Sequence, residues 1–180
     1  RASVASTTDG RLASADSRAG AVLAVAGLLF LVQFAVYFNF PADDPGISFR
    51  YAWNLAHGEG LVYNPGEQVE GYSNFGWVVA VAALFRTGVI TDRFVVVPAF
   101  KVINAAFALG CLLLFHRQVR RERGLGVRPA AAAVVLLAGA GGLPLAAASG
   151  LDPVTLTLLL LVAAGATLRH LDDPAPGLRR

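Results

Sequence analysis

Charge is scarce in this sequence. Only 15% of its 180 residues are Asp, Glu, Lys or Arg, where a soluble domain carries about a quarter. That is too little to coat a globular surface, and the apolar residues fall into too many long runs for one core. A water-soluble globule is excluded, so lipid is the solvent for much of the chain. Cysteine is nearly absent as well. Cys111 stands alone inside an apolar run, so no internal disulfide can form and no Cys/His spacing exists for a structural metal. It reads as a small buried apolar residue. Aromatic residues are not interleaved with the basic ones, as a base-stacking platform requires. The net charge of +3 and pI near 9.5 therefore do not point to nucleic acid. The basic residues sit at the ends of apolar runs, the pattern that orients membrane proteins.

Long apolar runs are what the chain has in abundance. Residues 1–18 show no apolar period and are expected to form a disordered cytoplasmic tail. Residues 20–40 carry no charge and span about 30 Å as a helix, one bilayer core. Their length and the aromatic end at Tyr37, Phe38 and Phe40 argue against a cleaved signal peptide. Further spans are expected over 94–115, 130–148 and 153–168. Residues 75–85 are apolar but only about 16 Å long as a helix, half a bilayer. Parity decides their fate. With Arg11 and Arg18 inside, four spans return the Arg-rich 117–128 segment and the 169–180 tail or loop to the cytoplasm. A fifth crossing at 75–90 would turn both basic segments outward, against the positive-inside rule. The expected fold is all-α: a polytopic bundle of about four transmembrane helices over 19–168, with short juxtamembrane helices in a first outer loop, 41–93. The chain, beginning at Arg1 and ending at Arg180, reads as the front part of a longer protein.

The chemically capable groups concentrate in residues 41–77. Asp43 and Asp44 are adjacent carboxylates just beyond a span. Such a pair suits a general base or a divalent cation, or simply stops a helix with a solvated acidic cap. Residues 47–57 fit a short amphipathic helix, with Ile47, Tyr51 and Leu55 on one face and Arg50, Asn54 and His57 on another. Arg50 at headgroup depth is either a phosphate clamp or a lipid anchor. Asn64-Pro65-Gly66 has the residues of a type II turn. Glu67 and Glu70 flank it. Tyr72 and Trp77 either stack on a sugar or belong to an interfacial aromatic belt. Asp152 lies between two apolar runs on the same side as the Asp pair, as a functional acid near membrane depth or as the N-cap ahead of Pro153. Lys101 either snorkels or faces the same cavity.

The run from Asp43 to Trp77, DDPGISFRYAWNLAHGEGLVYNPGEQVEGYSNFGW, resembles the first outer loop of a group of GT-C membrane glycosyltransferases. The group is related to the actinobacterial arabinofuranosyltransferases that use decaprenyl-phosphate arabinose. Its members read Asp-Asp, Ile-Ser-hydrophobic-Arg-Tyr-Ala, Asn-Leu, Asn-Pro-Gly-Glu, then Val-Glu-Gly-Tyr-Thr-Asn and a Trp. Ser149-Gly150-Leu151-Asp152 resembles a later Ser-Gly-Leu-Glu of the same group, with Asp152 one methylene shorter. Ser73 stands where Thr is common. The resemblance implies a hexosyl- or pentosyltransferase in the cytoplasmic membrane, its active site facing the periplasm or exterior. It would pass a sugar, with inversion, from a polyprenyl-phosphate donor to a glycan, lipid or protein acceptor. Asp44, or else Asp43, would be the general base. Arg50, with or without a divalent cation, would meet the leaving phosphate. Asn54, Glu70, Tyr72, Asn74, Trp77 and Asp152 would hold substrates.

Two other classes compete. A transporter subunit predicts charges buried mid-span and repeated segments. A non-catalytic membrane scaffold needs Asp43 and Asp44 only as a helix cap. Charges gathered in one outer loop favour the enzyme.

Overall fold

The structure, a computed structural model, describes residues 2–40, 44–121 and 126–172, with side chains over 18–40, 44–92, 95–120 and 126–171. Among these every regular element is a helix: α1 Ala2–Tyr37, α2 Asp44–Ala56, α3 Phe75–Arg86, α4 Arg93–Arg121, α5 Val127–Gly139, α6 Gly142–Ser149 and α7 Pro153–Asp172. Arg18–Tyr37, Val95–Arg120 and Pro153–Leu171 are each long and apolar enough to cross a membrane, with mean hydropathies of 2.3, 1.9 and 1.7. Taken as one span, the bent pair α5 with α6 makes a fourth. The chain is thus an all-α, multi-pass membrane bundle. α3, at 12 residues, reaches about 18 Å and is too short to span.

Two expectations about helix ends need correction. Residues 2–18, read as a disordered tail, continue α1 from Ala2. They contain no proline, and a helix already fixed in lipid can extend outward without a new nucleus. The last span likewise runs past 168, through Arg169 and His170, to Asp172. Residues 173–180 lie outside the described residues.

Two cores share α4. In the spans, Ala26 and Phe30 of α1 pack with Ala105, Ala108, Cys111 and Leu112 of α4, Val134 and Ala138 of α5, Ala147 of α6 and Val154 of α7. The many alanines let backbones approach closely, which is how helices associate when lipid supplies no hydrophobic drive. The second core lies under the loop. Phe49, Tyr51 and Ala52 of α2 meet Val78, Val81, Ala82 and Phe85 of α3 on Val96 and Phe100 of α4. The first turns of α4 therefore tie the loop helices to the bundle. Val25, Leu28, Val32 and Val36 of α1, with Leu156, Leu159 and Leu160 of α7, remain exposed. Such continuous apolar faces belong in hydrocarbon rather than water.

The break in the third span was not expected. α5 and α6 bend by 45° at Ala140 and Gly141, where Gly141 adopts φ 78. A left-handed residue inside a span needs glycine and frees carbonyls that lipid cannot satisfy. Gln33 of α1 supplies the missing partner, donating from Nε2 to the Ala138 carbonyl at 3.0 Å. The packing is close here: a Cβ at Gly139 would stand 3.0 Å from Leu29 Cδ2. Replacing Gln33 by Leu strips that carbonyl of its side-chain donor. Equilibrium unfolding in mixed micelles should show a loss of about 1–3 kcal/mol. An unchanged midpoint would mean that the break needs no help from α1.

Candidate functional site

The loop helices and the α6–α7 turn meet at one end of the bundle through a chain of polar side chains. Ser48 of α2 donates from Oγ to Asn74 Oδ1 at 3.0 Å. Asn74, just ahead of α3, donates from Nδ2 to Asp152 Oδ1 at 3.3 Å. Asn74 occupies the N-cap position of α3 yet makes no side-chain cap bond. An asparagine there ordinarily satisfies the helix's own free N–H groups. Here its amide is diverted to bridge two elements 78 positions apart in sequence. Asp44 opens α2 and is exposed. It lies four residues before Ser48, a spacing that stacks two side chains on one helix face, roughly 5–6 Å between Cβ atoms. Ser48, Asn74 and Asp152 thus form one polar chain, with Asp44 one helical turn before it. Asp43 lies outside the described residues.

The turn carrying Asp152 is held from beneath by α4. Asn104, fully buried, donates from Nδ2 to the Leu151 carbonyl at 2.6 Å. Lys101, 7% exposed, donates to the Phe38 carbonyl at 2.7 Å and also reaches that of Phe40 at 3.5 Å. It therefore closes the carbonyl end of α1, where a cation is favourable. The stem of Lys101 also lies under Gly150, whose φ is 78 and whose missing Cβ would come within 3.6 Å of Lys101 Cγ and the Val97 carbonyl. Beside this turn, Tyr37, Phe40, Leu145, Ala148 and Ser149 line an almost wholly apolar slot of about 190 Å³.

The rest of the loop is strung from α2. Asn54 is 4% exposed and donates from Nδ2 to the carbonyls of Val62 and Tyr63 at 2.8 and 2.9 Å. Arg50 Nε donates to the same Tyr63 carbonyl at 3.1 Å. Both residues are expected to hold substrate; both are drawn into holding the loop, although the Arg50 side chain stays only half-buried. Asn54 shares the polar face of α2 with Arg50, and irregular backbone with carbonyls to satisfy explains its burial. Tyr51 donates from its hydroxyl to the Val69 carbonyl at 2.6 Å and packs edge-on against Tyr72 at 4.9 Å. Asn64-Pro65-Gly66 closes as a turn, with the Glu67 N–H on the Asn64 carbonyl at 3.1 Å and Gly66 at φ 90.

Between these anchored loop segments lies an open groove of about 490 Å³, with Glu59, Gln68, Glu70 and Tyr72 among its walls. Desolvation and then the charge of Glu70 raise the Tyr72 hydroxyl above its ordinary value. Trp77 is placed elsewhere. Its ring packs edge-on against Phe100 at 5.1 Å, and its indole Nε1 is buried, so it serves the core beneath the loop. Among the described residues no three His, Cys, Asp or Glu side chains gather as a metal group.

Sequence reasoning gave Ser48 and Asn104 no role and left Lys101 open. One signal was available: strongly polar groups inside a span must find partners, and helix ends and turns offer them. Comparison adds no relative. No family model, curated protein or solved structure matches the chain.

Proposed function

We propose that this chain carries the donor end of a membrane glycosyltransferase that moves a sugar from a polyprenyl phosphate to a cell-envelope acceptor. One observation carries most weight. The two stretches that resemble GT-C enzymes, Asp43–Trp77 and Ser149–Asp152, meet through the Asn74–Asp152 bond at 3.3 Å. Asp44 stands one helical turn before Ser48, which donates to the same Asn74, and is exposed. It would accept the acceptor hydroxyl's proton as the oxygen forms its bond to the anomeric carbon. The anomeric carbon–phosphate oxygen bond breaks in the same displacement, so the configuration inverts. The departing phosphate would be met by the Arg50 guanidinium, whose Nε holds Tyr63 while its terminal nitrogens complete the fork. The apolar slot beside Ser149 suits part of an isoprenoid chain.

This chemistry belongs on the outer side of the cytoplasmic membrane. Arg117, Arg120, Arg128 and Arg169 fall at the bundle end opposite the carboxylates of the loop, which is the cytoplasmic signature. Cys111 is buried, so engineered cysteines can be read against a quiet background. A cysteine replacing the exposed Glu67 should react with an impermeant maleimide from outside intact cells, and one replacing Arg117 only after permeabilisation. The reverse pattern would leave the reaction without its donor's sugar. The direct test is transfer of labelled sugar from polyprenyl phosphate by the protein in proteoliposomes; none above background would end the proposal.

A transporter reading draws support from the broken third span, since discontinuous helices form midplane binding sites in transporters. The break here is lined by Gln33 and the Tyr37 hydroxyl, and no described carboxylate approaches it. The acidic groups sit at the loop end, which favours the enzyme.

A further inference from the structure

The groove between residues 59–62 and 68–72 is separate from the polar chain but adjoins it. Tyr72 lines it, and two residues of extended chain place the Asn74 Cα within about 7 Å of the Tyr72 Cα. Its walls are held from buried positions on α2. Asn54 takes the carbonyl of Val62, and Tyr51, 1% exposed, takes that of Val69. Gly71 permits this approach, because a Cβ there would stand 3.1 Å from the Tyr51 hydroxyl. The groove is thus built before any ligand arrives, and its volume falls within the range of small-molecule sites.

Its lining decides what it can hold. Glu59, Gln68 and Glu70 offer acceptor oxygens, the Tyr72 hydroxyl and the Gln68 amide offer hydrogens, and Leu61 and Val69 add apolar surface. No Lys, Arg or His lines it. A phosphate or carboxylate entering here would meet two like charges and no cation, which excludes the phosphate end of a lipid-linked donor. A simple carboxylate metal site is not offered either, since among the described residues no third His, Cys, Asp or Glu joins the pair. Neutral sugar rings match the remainder: their hydroxyls donate to carboxylates while their C–H faces lie on apolar and aromatic surface.

We propose that this groove binds a neutral saccharide and, resting on the transferase reading, that it is the acceptor subsite, distinct from the donor's place beside Arg50 and the apolar slot. The groove then presents an acceptor hydroxyl toward the Asp44–Asn74 end, while its charge keeps anionic glycans and the donor phosphate out.

Nanodisc-embedded protein applied to arrayed neutral, amino-substituted and uronate- or phosphate-bearing oligosaccharides tests this. Neutral glycans should be retained independently of salt. Glu59→Ala combined with Glu70→Ala, both exposed positions whose loss cannot empty a core, should weaken retention tenfold or more, and Tyr72→Ala should act in the same direction. Three outcomes overturn the proposal: no retained neutral glycan, retention confined to charged glycans, or retention unchanged in the double variant. Transfer from polyprenyl phosphate to the same neutral glycans, run in parallel, separates the two readings. Glycan retained without transfer sinks the transferase and leaves the groove. Transfer with an unchanged acceptor KM in the double variant sinks the groove and leaves the transferase.

Discussion

Asp44→Asn should lower the rate of sugar transfer by about 10²–10⁴-fold, the usual contribution of a positioned general base. The residue opens α2 and is exposed. Its removal costs the fold only the favourable placement of an anion at a helix N-terminus, about 0.3–1 kcal/mol. The Asn variant is nearly isosteric, so helix content and thermal midpoint should stay close to those of the parent. Asp44→Glu moves the carboxylate by one methylene and should recover part of the rate. A single-turnover assay following release of polyprenyl phosphate isolates the chemical step from product departure. Asp152→Asn is the needed comparison, because that carboxylate already accepts a hydrogen bond from Asn74 and is half-buried. A larger loss at Asp152 than at Asp44 would transfer the base role to the α7 side. An Asp44→Asn enzyme with full single-turnover rate would remove Asp44 from the chemistry altogether.

The spans were legible because a bilayer imposes one severe rule. Every backbone group must be satisfied within the helix, so uncharged runs of about 20 residues announce themselves. The same rule separated the 12-residue α3 from the true spans. The break between α5 and α6 escaped because Gly139, Ala140, Gly141 and Gly142 carry no polar side chain to interrupt the uncharged run. Pro144 was the overlooked sign, since proline in the third position of α6 marks a helix start. In the loop, residue type did not reveal who touches whom. Asn54 and Arg50 read as ligands for a substrate because nothing local shows the Val62 and Tyr63 carbonyls that claim them. Asp152 read equally well as a helix cap. Its link to Asn74 is a contact between distant segments, set by how α4 lifts the Gly150 turn through Asn104. No local pattern encodes that.

The same contact supplies the second large expectation, a comparison of Asn74→Asp with Asn74→Leu. Asp is the better N-cap for α3 and differs from Asn by one group, so local rules favour it by about 1 kcal/mol over an apolar residue. The tertiary contact argues the other way. An aspartate here would set a second carboxylate beside Asp152, at the site of the present 3.3 Å bond. Like charges near 4 Å repel by about 4 kcal/mol at an effective dielectric of 20, several times the capping gain. Asn74→Asp should therefore be less stable than Asn74→Leu and slower in transfer, by about 100-fold or more relative to the parent. Adding Asp152→Asn should restore much of both losses to the Asp variant and little to the Leu variant, a coupling that a double-mutant cycle measures directly. If Asn74→Asp proved as stable as the parent, the Asn74–Asp152 bond would not exist in the protein. The joining of the two separated segments, on which the proposed site stands, would fail with it.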